Sequence, residues 1–279
     1  MELKDKVTVI TGGASGIGLA IARRFAADGA RLVLADIEED ALSDAVAELS
    51  DAGAVVAGVR TDVTDPASLA SLRDETLSLH GAVHVLCNNA GVAAGGPVWE
   101  VSLDVWHWVM EVNVFGVING IHAFVPTMIE QGEGHVVNTA SIAGLIAAPG
   151  IGPYTASKQA VVSISETLLQ DLAAAGAPVG VSVLCPAFVR TRIHEAERNA
   201  PAGLDRDFTE GAAAQATWGV FGALVQAGID AAVVADAVAE AVADGRFYVL
   251  THPETHAWVR GRFETILGGG SPLSPVSAN

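Results

Sequence analysis

Short apolar runs alternate with longer segments of helical spacing along most of the chain. Brief apolar runs between helical patterns are typical of buried strands in a parallel sheet. The predicted strands are Val7–Ile10, Leu32–Ala35, Val55–Val59, Val83–Cys87, His135–Asn138, Val179–Leu184 and Phe247–Leu250. The predicted helices are Ile17–Asp28, Glu39–Ser50, Ala67–Leu79, Leu103–Glu130, one that carries Tyr154 and ends near Ala175, and Ala232–Ala243.

This alternation predicts an α/β fold with one doubly wound, seven-stranded parallel sheet and helices on both faces, a single-domain Rossmann fold. No linker or repeat divides the pattern. Residues 1–267 are therefore expected to form one domain with a substrate lid at about 190–229, and residues 268–279 a flexible tail. The stretch Gly211–Ile229 carries no charge, but its four glycines and its polar residues favour part of the lid over a membrane span.

Composition narrows the class of protein. The chain has 279 residues, 51% of them hydrophobic, and a mean hydropathy of +0.41, which excludes a disordered chain. A formal net charge of −17 opposes binding to nucleic acid or to anionic membranes. Cys87 and Cys185 lie in apolar runs and are expected to be buried free thiols. The charged N-terminus does not resemble a signal peptide, and we expect a cytoplasmic protein.

The first strand is followed by a glycine-rich turn, Thr11–Gly18, that opens the first helix. Glycines let the backbone approach a pyrophosphate, whose charge meets the helix N-terminus. An acidic residue about 20 positions further on completes a dinucleotide-binding pattern, and here that residue is Asp36. Its carboxylate can accept from both ribose hydroxyls and would repel a 2′-phosphate, while Ile37 rather than an arginine follows it, so the pattern predicts NAD over NADP. Asp36 could instead merely cap the following helix. The turn residues expected to bind the cofactor are Gly12, Ser15, Gly16, Ile17 and Gly18, with Ile37 beside Asp36.

Polar residues also follow the third and fourth predicted strands. Asp62 could accept from the adenine amino group, with Val63 beside it. The run Asn88–Gly91 could brace the sheet with its amides while its small residues, Ala90 and Gly91, admit the cofactor beside Asn89. A pair of asparagines is also common in ordinary turns.

Tyr154 and Lys158 lie four residues apart on a predicted helix and therefore share one face. A nearby positive charge lowers the pKa of a phenol, which makes the tyrosine a better general base or acid. The hydroxyl of Ser141, thirteen residues before Tyr154, could hold a substrate oxygen beside it. The same spacing also occurs in ordinary surface helices, so the pair gains its meaning from the rest of the chain.

Together these motifs resemble the short-chain dehydrogenase/reductase family of NAD(P)-dependent oxidoreductases, over roughly residues 4–250. The resemblance implies that Tyr154 exchanges a proton with the alcohol oxygen while hydride passes between the alcohol carbon and the nicotinamide. It also implies that Lys158 binds the nicotinamide ribose as well as lowering the pKa of Tyr154. Asn113 would complete a catalytic tetrad by holding a water in a proton relay behind Lys158.

The resemblance further places Pro186 under the nicotinamide, with Val189 and Thr191 on the carboxamide. Ala187 stands where the family usually has glycine, which restricts the backbone of this loop. The family also suggests a homotetramer or homodimer through the helices near Leu103–Glu130 and Ser157–Ala175.

The segments expected to surround the substrate are the lid and the loops after Ser141 and Gly91, and all three are rich in apolar residues. Such a lining favours an apolar or alicyclic secondary alcohol or ketone. The same lid residues could instead pack against the core or a second subunit. The candidate substrate contacts are Ala93, Ile142, Ala148, Phe188, Trp218 and Phe221.

Three histidines lie in the predicted lid or after the last predicted strand. His194 could touch a substrate or face solvent on the lid, and His252 with His256 could form a metal pair or play structural parts. No third ligand accompanies them, so we expect no metal site. A non-catalytic NAD(H) sensor or scaffold, and an epimerase or dehydratase, are alternatives that the set Asn113, Ser141, Tyr154 and Lys158, the short lid and the single-domain length disfavour.

Overall fold

The computed structural model describes residues 1–204 and 212–272. Their strands form one seven-stranded, all-parallel sheet in the order β3-β2-β1-β4-β5-β6-β7. This is the predicted doubly wound α/β fold. The strands are β1 (Val7–Thr11), β2 (Arg31–Asp36), β3 (Val55–Arg60), β4 (Val85–Asn88), β5 (Gly134–Thr139), β6 (Val179–Leu184) and β7 (Tyr248–Val249).

Helices connect the strands and extend past the last of them. The helices are α1 (Gly16–Ala27), α2 (Glu39–Asp51), α3 (Pro66–His80), α4 (Leu103–Met110), α5 (Gly116–Gln131), α6 (Gly152–Ala174), α7 (Ala212–Gln226), α8 (Ala231–Asp244) and α9 (Thr255–Leu267). Short 3₁₀ segments lie at Ile142–Gly144 and Ile193–Asn199. The predicted helix Leu103–Glu130 is interrupted by a π-helical turn at Glu111–Phe115 that joins α4 to α5.

The lid and the C-terminal region hold two helices that the sequence pattern did not predict. Within the lid, the 3₁₀ segment and α7 lie on either side of residues 205–211, which are outside the described part. Helix α9 follows β7 and ends just before the predicted tail. Of that tail, residues 273–279 are outside the described part of the chain.

Alternation along each strand divides the core into two layers. In β2, Leu32 and Leu34 pack with α1, α2 and α8 on one face, while Val33 packs with α3, α5 and α6 on the other. Strands β1, β4 and β5 are buried at every residue, which explains why they are continuous apolar runs in the sequence, whereas the edge strand β3 is partly exposed. Cys87 and Cys185 are free thiols in this core, and burial raises the pKa of each to about 12.

The helical segment Leu103–Gln131 is long and apolar enough, by length and composition, to cross a membrane, with a mean hydropathy of 1.5. Half of the apolar window is buried inside the protein. Phe124 and Met128 of α5 belong to the core beneath the sheet, so the apolar character of this segment has an internal explanation.

A buried histidine should make the free energy of unfolding depend on pH. His135 in β5 is 3% exposed and shares a hydrogen bond of 2.8 Å with Ser182. Burial lowers its pKa from 6.5 to about 4. The unfolded chain therefore binds the extra proton between pH 6.5 and 4, and stability falls as pH drops through that window, by about 3 kcal/mol at most.

We expect His135→Gln to flatten the dependence of the unfolding free energy on pH between 6.5 and 4, as measured by urea denaturation. His107→Gln, which replaces an exposed histidine on α4, is the matched control and should keep the wild-type slope. An unchanged slope in His135→Gln would show that another group governs the acid response.

Candidate active site

The site lies where the strand order reverses. Chain segments leave β1 and β4 in opposite directions across the sheet, and the crevice between them opens at the carboxyl ends of the strands. A cavity of about 890 Å³ occupies this position and continues from the glycine-rich turn to Tyr154 and the lid.

The glycine-rich turn brings bare backbone to the cavity. Gly12 has a φ of +63°, and a side chain on Gly18 would overlap the carbonyl oxygen of Gly12. Ser15 caps α1 without a side-chain hydrogen bond, and the first turn of the helix holds no acidic residue. The amides at this helix end therefore remain available to an anion.

Asparagines hold the crevice open. The Asn89 side chain donates to the carbonyls of Thr11 and Gly12 at 3.1 and 3.2 Å, which ties β4 to the start of the turn. Behind it, Asn88 donates to Asn138 at 2.9 Å. The amides brace the sheet, as the sequence suggested.

Asp36 lies at the end of β2 with its carboxylate on the cavity. One oxygen accepts from the amide of Ala14 at 3.1 Å and the other from the amide of Glu38 at 3.1 Å. Burial raises the pKa of Asp36. The residue thus secures the glycine-rich turn and the loop before α2 together, a larger structural role than the helix cap considered from sequence, and it still faces the cavity with Ile37.

The lid reaches this same end of the cavity through an ion pair. Glu38 accepts from Arg198 Nε at 3.1 Å and from Asn199 Nδ2 at 2.9 Å, 160 and 161 residues away in sequence. Hydrogen bonds and charge from these partners outweigh burial and lower the pKa of Glu38. Arg198 also donates to the carbonyls of Arg192 and Glu195, so its guanidinium is nearly saturated. We call Glu38, Arg198 and Asn199 the lid clasp.

Asn113 lies in the π-helical turn and is fully buried. Its side chain accepts from the amide of Val92 at 2.8 Å and donates to the Val92 carbonyl and to Ser157, both at 2.9 Å. Both amide N–H groups are therefore used, and Asn113 does not line the cavity. In this structure its side chain anchors the loop after β4 to α6.

Ser141, Tyr154 and Lys158 meet on the cavity wall. Ser141 is the N-cap of the 3₁₀ segment Ile142–Gly144, and its hydroxyl oxygen accepts from the amide of Ala143 at 3.1 Å. Lys158 donates to the Thr139 carbonyl at 2.9 Å, and its nitrogen lies 5.7 Å from the centre of the Tyr154 ring. One turn of α6 thus places the phenol and the ammonium in one space, as their spacing predicted.

The pKa values of Tyr154 and Lys158 differ from the expectation. Burial raises the pKa of Tyr154, although the Ser141 hydroxyl acts against this change. Burial also lowers the pKa of Lys158 to about 8. The predicted lowering of the tyrosine pKa by Lys158 is not seen, because removal of water around the half-buried Tyr154 disfavours the charged phenolate and is the larger effect.

The loop Pro186–Thr191 forms the far wall of the cavity. Pro186, Val189 and Thr191 all line it, and the Pro186 carbonyl accepts from the amide of Ile142 at 2.8 Å. Arg190 donates from its amide to the Ile229 carbonyl at 2.9 Å, which joins this loop to the end of the lid.

Aromatic side chains close the cavity over Tyr154. Phe221 on α7 lies edge-on to Tyr154 at 6.5 Å between ring centres and to Phe188 at 6.4 Å. Trp218 stacks on Phe221 at 5.0 Å. The lid helix therefore contacts the tyrosine directly.

Comparison with known proteins identifies the family. A family model described as short chain dehydrogenase matches residues 6–202. The chain belongs to the short chain dehydrogenase family. The resemblance seen in the sequence is thereby confirmed.

Relatives of this short chain dehydrogenase match it over nearly its whole length. A crystal structure of a short chain dehydrogenase/reductase from Burkholderia phymatum in complex with NAD has a TM-score of 0.97 and 48% identity, covering 99% of each chain. The CLA biosynthesis dehydrogenase/reductase of Lactiplantibacillus plantarum is 34% identical over 97% of this chain and 96% of its own. The 1-deoxy-11-beta-hydroxypentalenate dehydrogenase of Streptomyces avermitilis is 37% identical over 95% of this chain and 92% of its own.

Most residues expected at the cofactor and substrate positions of this dehydrogenase line the cavity. Gly18 does not, because it packs against Gly12 and Asn89. Ala93 is 1% exposed and lies in the core, and Trp218 reaches the cavity only through Phe221. The expected residues that do line it are Gly12, Ser15, Gly16, Ile17, Asp36, Ile37, Asp62, Val63, Asn89, Ala90, Gly91, Ile142, Ala148, Pro186, Phe188, Val189, Thr191 and Phe221, with Ser141, Tyr154 and Lys158.

The structure adds residues that sequence reasoning missed. The lid clasp joins segments too far apart in sequence for any pattern to pair them. Trp258 on α9 lines the cavity, and Arg262 holds α9 to the loop after Ser141 by donating to the Leu145 carbonyl at 2.8 Å. His194 does not line the cavity, since it joins the lid segments through Trp218. Within the described residues, no group of three or more His, Cys, Asp and Glu is placed to hold a metal ion.

Breaking the lid clasp should loosen the lid. We expect Glu38→Gln to speed backbone hydrogen exchange in Ile193–Asn199 by about fivefold, which corresponds to the loss of about 1 kcal/mol of hydrogen bonding. Glu39→Gln is the matched control, because Glu39 pairs with Arg60 on the sheet rather than with the lid. Equal exchange in Glu38→Gln and the wild type would show that the clasp does not hold the segment.

Proposed function

We propose that this short chain dehydrogenase transfers hydride between NAD(H) and an apolar or alicyclic secondary alcohol or ketone, with Tyr154 as the general acid and base. The observation that carries the proposal is a continuous cavity that has an unobstructed helix N-terminus at one end and Ser141, Tyr154 and Lys158 at the other. A hydride carrier and an alcohol carbon can therefore meet beside a proton-transfer group.

The residues present fit a dinucleotide. The uncapped N-terminus of α1 offers backbone N–H groups to a pyrophosphate, and Gly12 leaves room for its approach. Asp36 would hold the adenosine ribose, Asp62 and Val63 the adenine, and Lys158 the nicotinamide ribose. Val189 and Thr191 would hold the carboxamide.

Two carboxylates favour NAD over NADP. A 2′-phosphate would lie beside Asp36, with Glu38 on the next loop. The lid brings Arg192 and Arg198 to this end, and each already has a carboxylate partner, Glu195 for Arg192 and Glu38 for Arg198. The relative from Burkholderia phymatum, in complex with NAD, supports the same cofactor.

The chain's own residues handle the proton. NAD supplies the hydride acceptor when it is bound. Ser141 would donate a hydrogen bond to, or accept one from, the substrate oxygen, and Tyr154 would remove the hydroxyl proton in oxidation or return it in reduction. Because burial raises its pKa, the neutral phenol predominates near neutral pH, which suits proton donation to a ketone. Lys158, whose pKa is lowered to about 8, remains mostly charged there and would stabilise the phenolate when it forms. Asn113 would support the relay by holding the backbone around Val92 and Ser157 in place.

The substrate class follows from the lining. The charged residues among the described lining positions, apart from Lys158, gather at the cofactor end around Asp36 and the lid clasp. The substrate end is formed by apolar side chains, including Val112, Ile142, Ile146, Phe188, Phe221 and Trp258. A pocket of this kind favours apolar substrates. The Streptomyces avermitilis relative is named for a hydroxylated substrate, which supports oxidation of an alcohol.

We also propose a cytoplasmic homodimer or homotetramer. On the α4–α5 segment Leu103 is 74% exposed, and Phe115 and Ile118 are also exposed. Exposed apolar side chains on one helical segment are typical of subunit contacts. On α6, Val161 and Leu172 are buried in the chain's own core and are therefore not available to a partner subunit.

Removing the phenol hydroxyl should abolish turnover. We expect Tyr154→Phe to lower kcat by at least about a hundredfold, because general acid–base catalysis is lost, while NADH binding measured by fluorescence is kept. Tyr248→Phe is the matched control, since Tyr248 is exposed and bonds Glu166 on the surface. Near-wild-type turnover in Tyr154→Phe would refute the proposed mechanism, and tight NADH binding by a wild type inactive on every alcohol and ketone would favour a sensor.

Shortening the central lid aromatic should weaken substrate binding. We expect Phe221→Ala to raise KM for the best alicyclic alcohol about tenfold, since burial of a large apolar side chain contributes about 1.5–3 kcal/mol. KM for NAD⁺ should change little. Val233→Ala, on the exposed face of α8, provides the control. A preference of the wild type for polyols over alicyclic alcohols would refute the substrate assignment.

A further inference from the structure

His252 lies between β7 and α9, outside the cavity, and is 6% exposed. Its ring contacts two consecutive residues of the loop that forms the far wall of the cavity. The amide of Ala187 donates to its Nδ1 at 3.2 Å, and its Nε2 lies 3.1 Å from the Phe188 carbonyl. Thr251 adds a hydroxyl 2.9 Å from Nδ1.

One protonation state of the imidazole satisfies both contacts with the loop. Nδ1 must accept, because a backbone amide can only donate to it. Nε2 must then carry the hydrogen and donate to the Phe188 carbonyl, since that oxygen can only accept. The neutral Nε2–H tautomer therefore fixes a donor and an acceptor of neighbouring residues at once.

The loop is held from three directions. On the Ser141 side, the Pro186 carbonyl accepts from the amide of Ile142 at 2.8 Å. On the lid side, the Phe188 carbonyl accepts from the amide of Ile229 at 3.0 Å. His252 supplies the third side through its ring, and on the Ser141 side the Ser141 hydroxyl also donates to the Pro186 carbonyl at 3.4 Å.

This arrangement accounts for Ala187. Asp5 is the one non-glycine residue with a positive φ in the described part of the chain, so Ala187 needs no glycine conformation. Its amide has a defined partner in His252. The departure from the glycine expected here is thus compatible with a loop fixed by hydrogen bonds.

We propose that His252 is a positioning residue that fixes Pro186–Val189, and through it the carboxamide end of NAD, so that one face of the nicotinamide is presented to the substrate. The inference rests on the proposed function. His256 takes no part, because it is exposed on α9 and the two histidines do not form a metal site with other ligands in the described residues.

The test compares His252→Leu, His252→Asn and His252→Gln with the control His256→Asn. Leucine removes both loop contacts. Asparagine can keep the acceptor for the Ala187 amide, and glutamine can reach the Phe188 carbonyl without serving Ala187. Thermal melting of each variant separates loss of folding from loss of positioning.

We expect His252→Leu to raise KM for NAD⁺ about tenfold and to lower kcat. With NADH that carries deuterium on one face of C4 of the nicotinamide, the variant should transfer hydrogen from both faces, whereas the wild type should use one face. His252→Asn should restore single-face transfer and most of the affinity, and His256→Asn should match the wild type. Wild-type KM and single-face transfer in a folded His252→Leu would overturn the proposal. If that variant does not fold, equal behaviour of the asparagine and glutamine variants would overturn it.

Failure of the proposed function has a different signature. A wild type that turns over no alcohol or ketone with NAD⁺ would refute the function. The NADH dissociation constants of the wild type and the His252 variants, measured by fluorescence, would still test positioning, since the proposal requires a weaker complex in His252→Leu.

Discussion

The crevice between the carboxyl ends of β1 and β4 is the constraint on which the rest of the site depends. It must stay wide enough for a ligand, yet its walls must not move. Asn89 meets both needs, because its side chain crosses the crevice at the base and bonds the carbonyls of Thr11 and Gly12. The absence of a side chain at Gly18 lets α1 lie directly on the turn. The polar bracing lies behind the cavity, and the bare backbone faces it.

A second constraint is the burial of Lys158. An ammonium that is 4% exposed is costly unless it is bonded, and the Thr139 carbonyl accepts from it at 2.9 Å. The remaining cost appears as the lowered pKa of the amine. The same surroundings raise the pKa of Tyr154. The pKa of the phenol therefore lies above that of the amine, the reverse of their ordinary order. Near neutral pH the phenol is therefore neutral while the amine remains mostly charged.

The sequence predicted the sheet well because buried parallel strands are continuous apolar runs, and the motifs at strand ends converge by topology. It did not predict α7 or α9. Helix α7 is apolar on most sides, and α9 has no single apolar stripe, so neither shows the periodicity of a helix that packs with one face. The long helix after β4 was predicted without the π-helical turn that positions Asn113, since a one-residue widening leaves no mark on the spacing. Partners distant in sequence, such as Glu38 with Arg198 and His252 with Ala187, depend on tertiary packing.

The lid clasp has a consequence for the coupling between the two ends of the cavity. The lid segment Ile193–Asn199 carries Arg198 and Asn199 to the Asp36 end of the cavity, and α7 carries Phe221 over the tyrosine. On the proposed function, a dinucleotide would meet the lid at the clasp and the alcohol would meet it at Phe221. Thermodynamic reciprocity then requires that a substrate which favours the closed lid also tightens binding of the dinucleotide. The two ends of the cavity are thus coupled through one lid, whose two segments are joined by the hydrogen bond from Trp218 Nε1 to the His194 carbonyl.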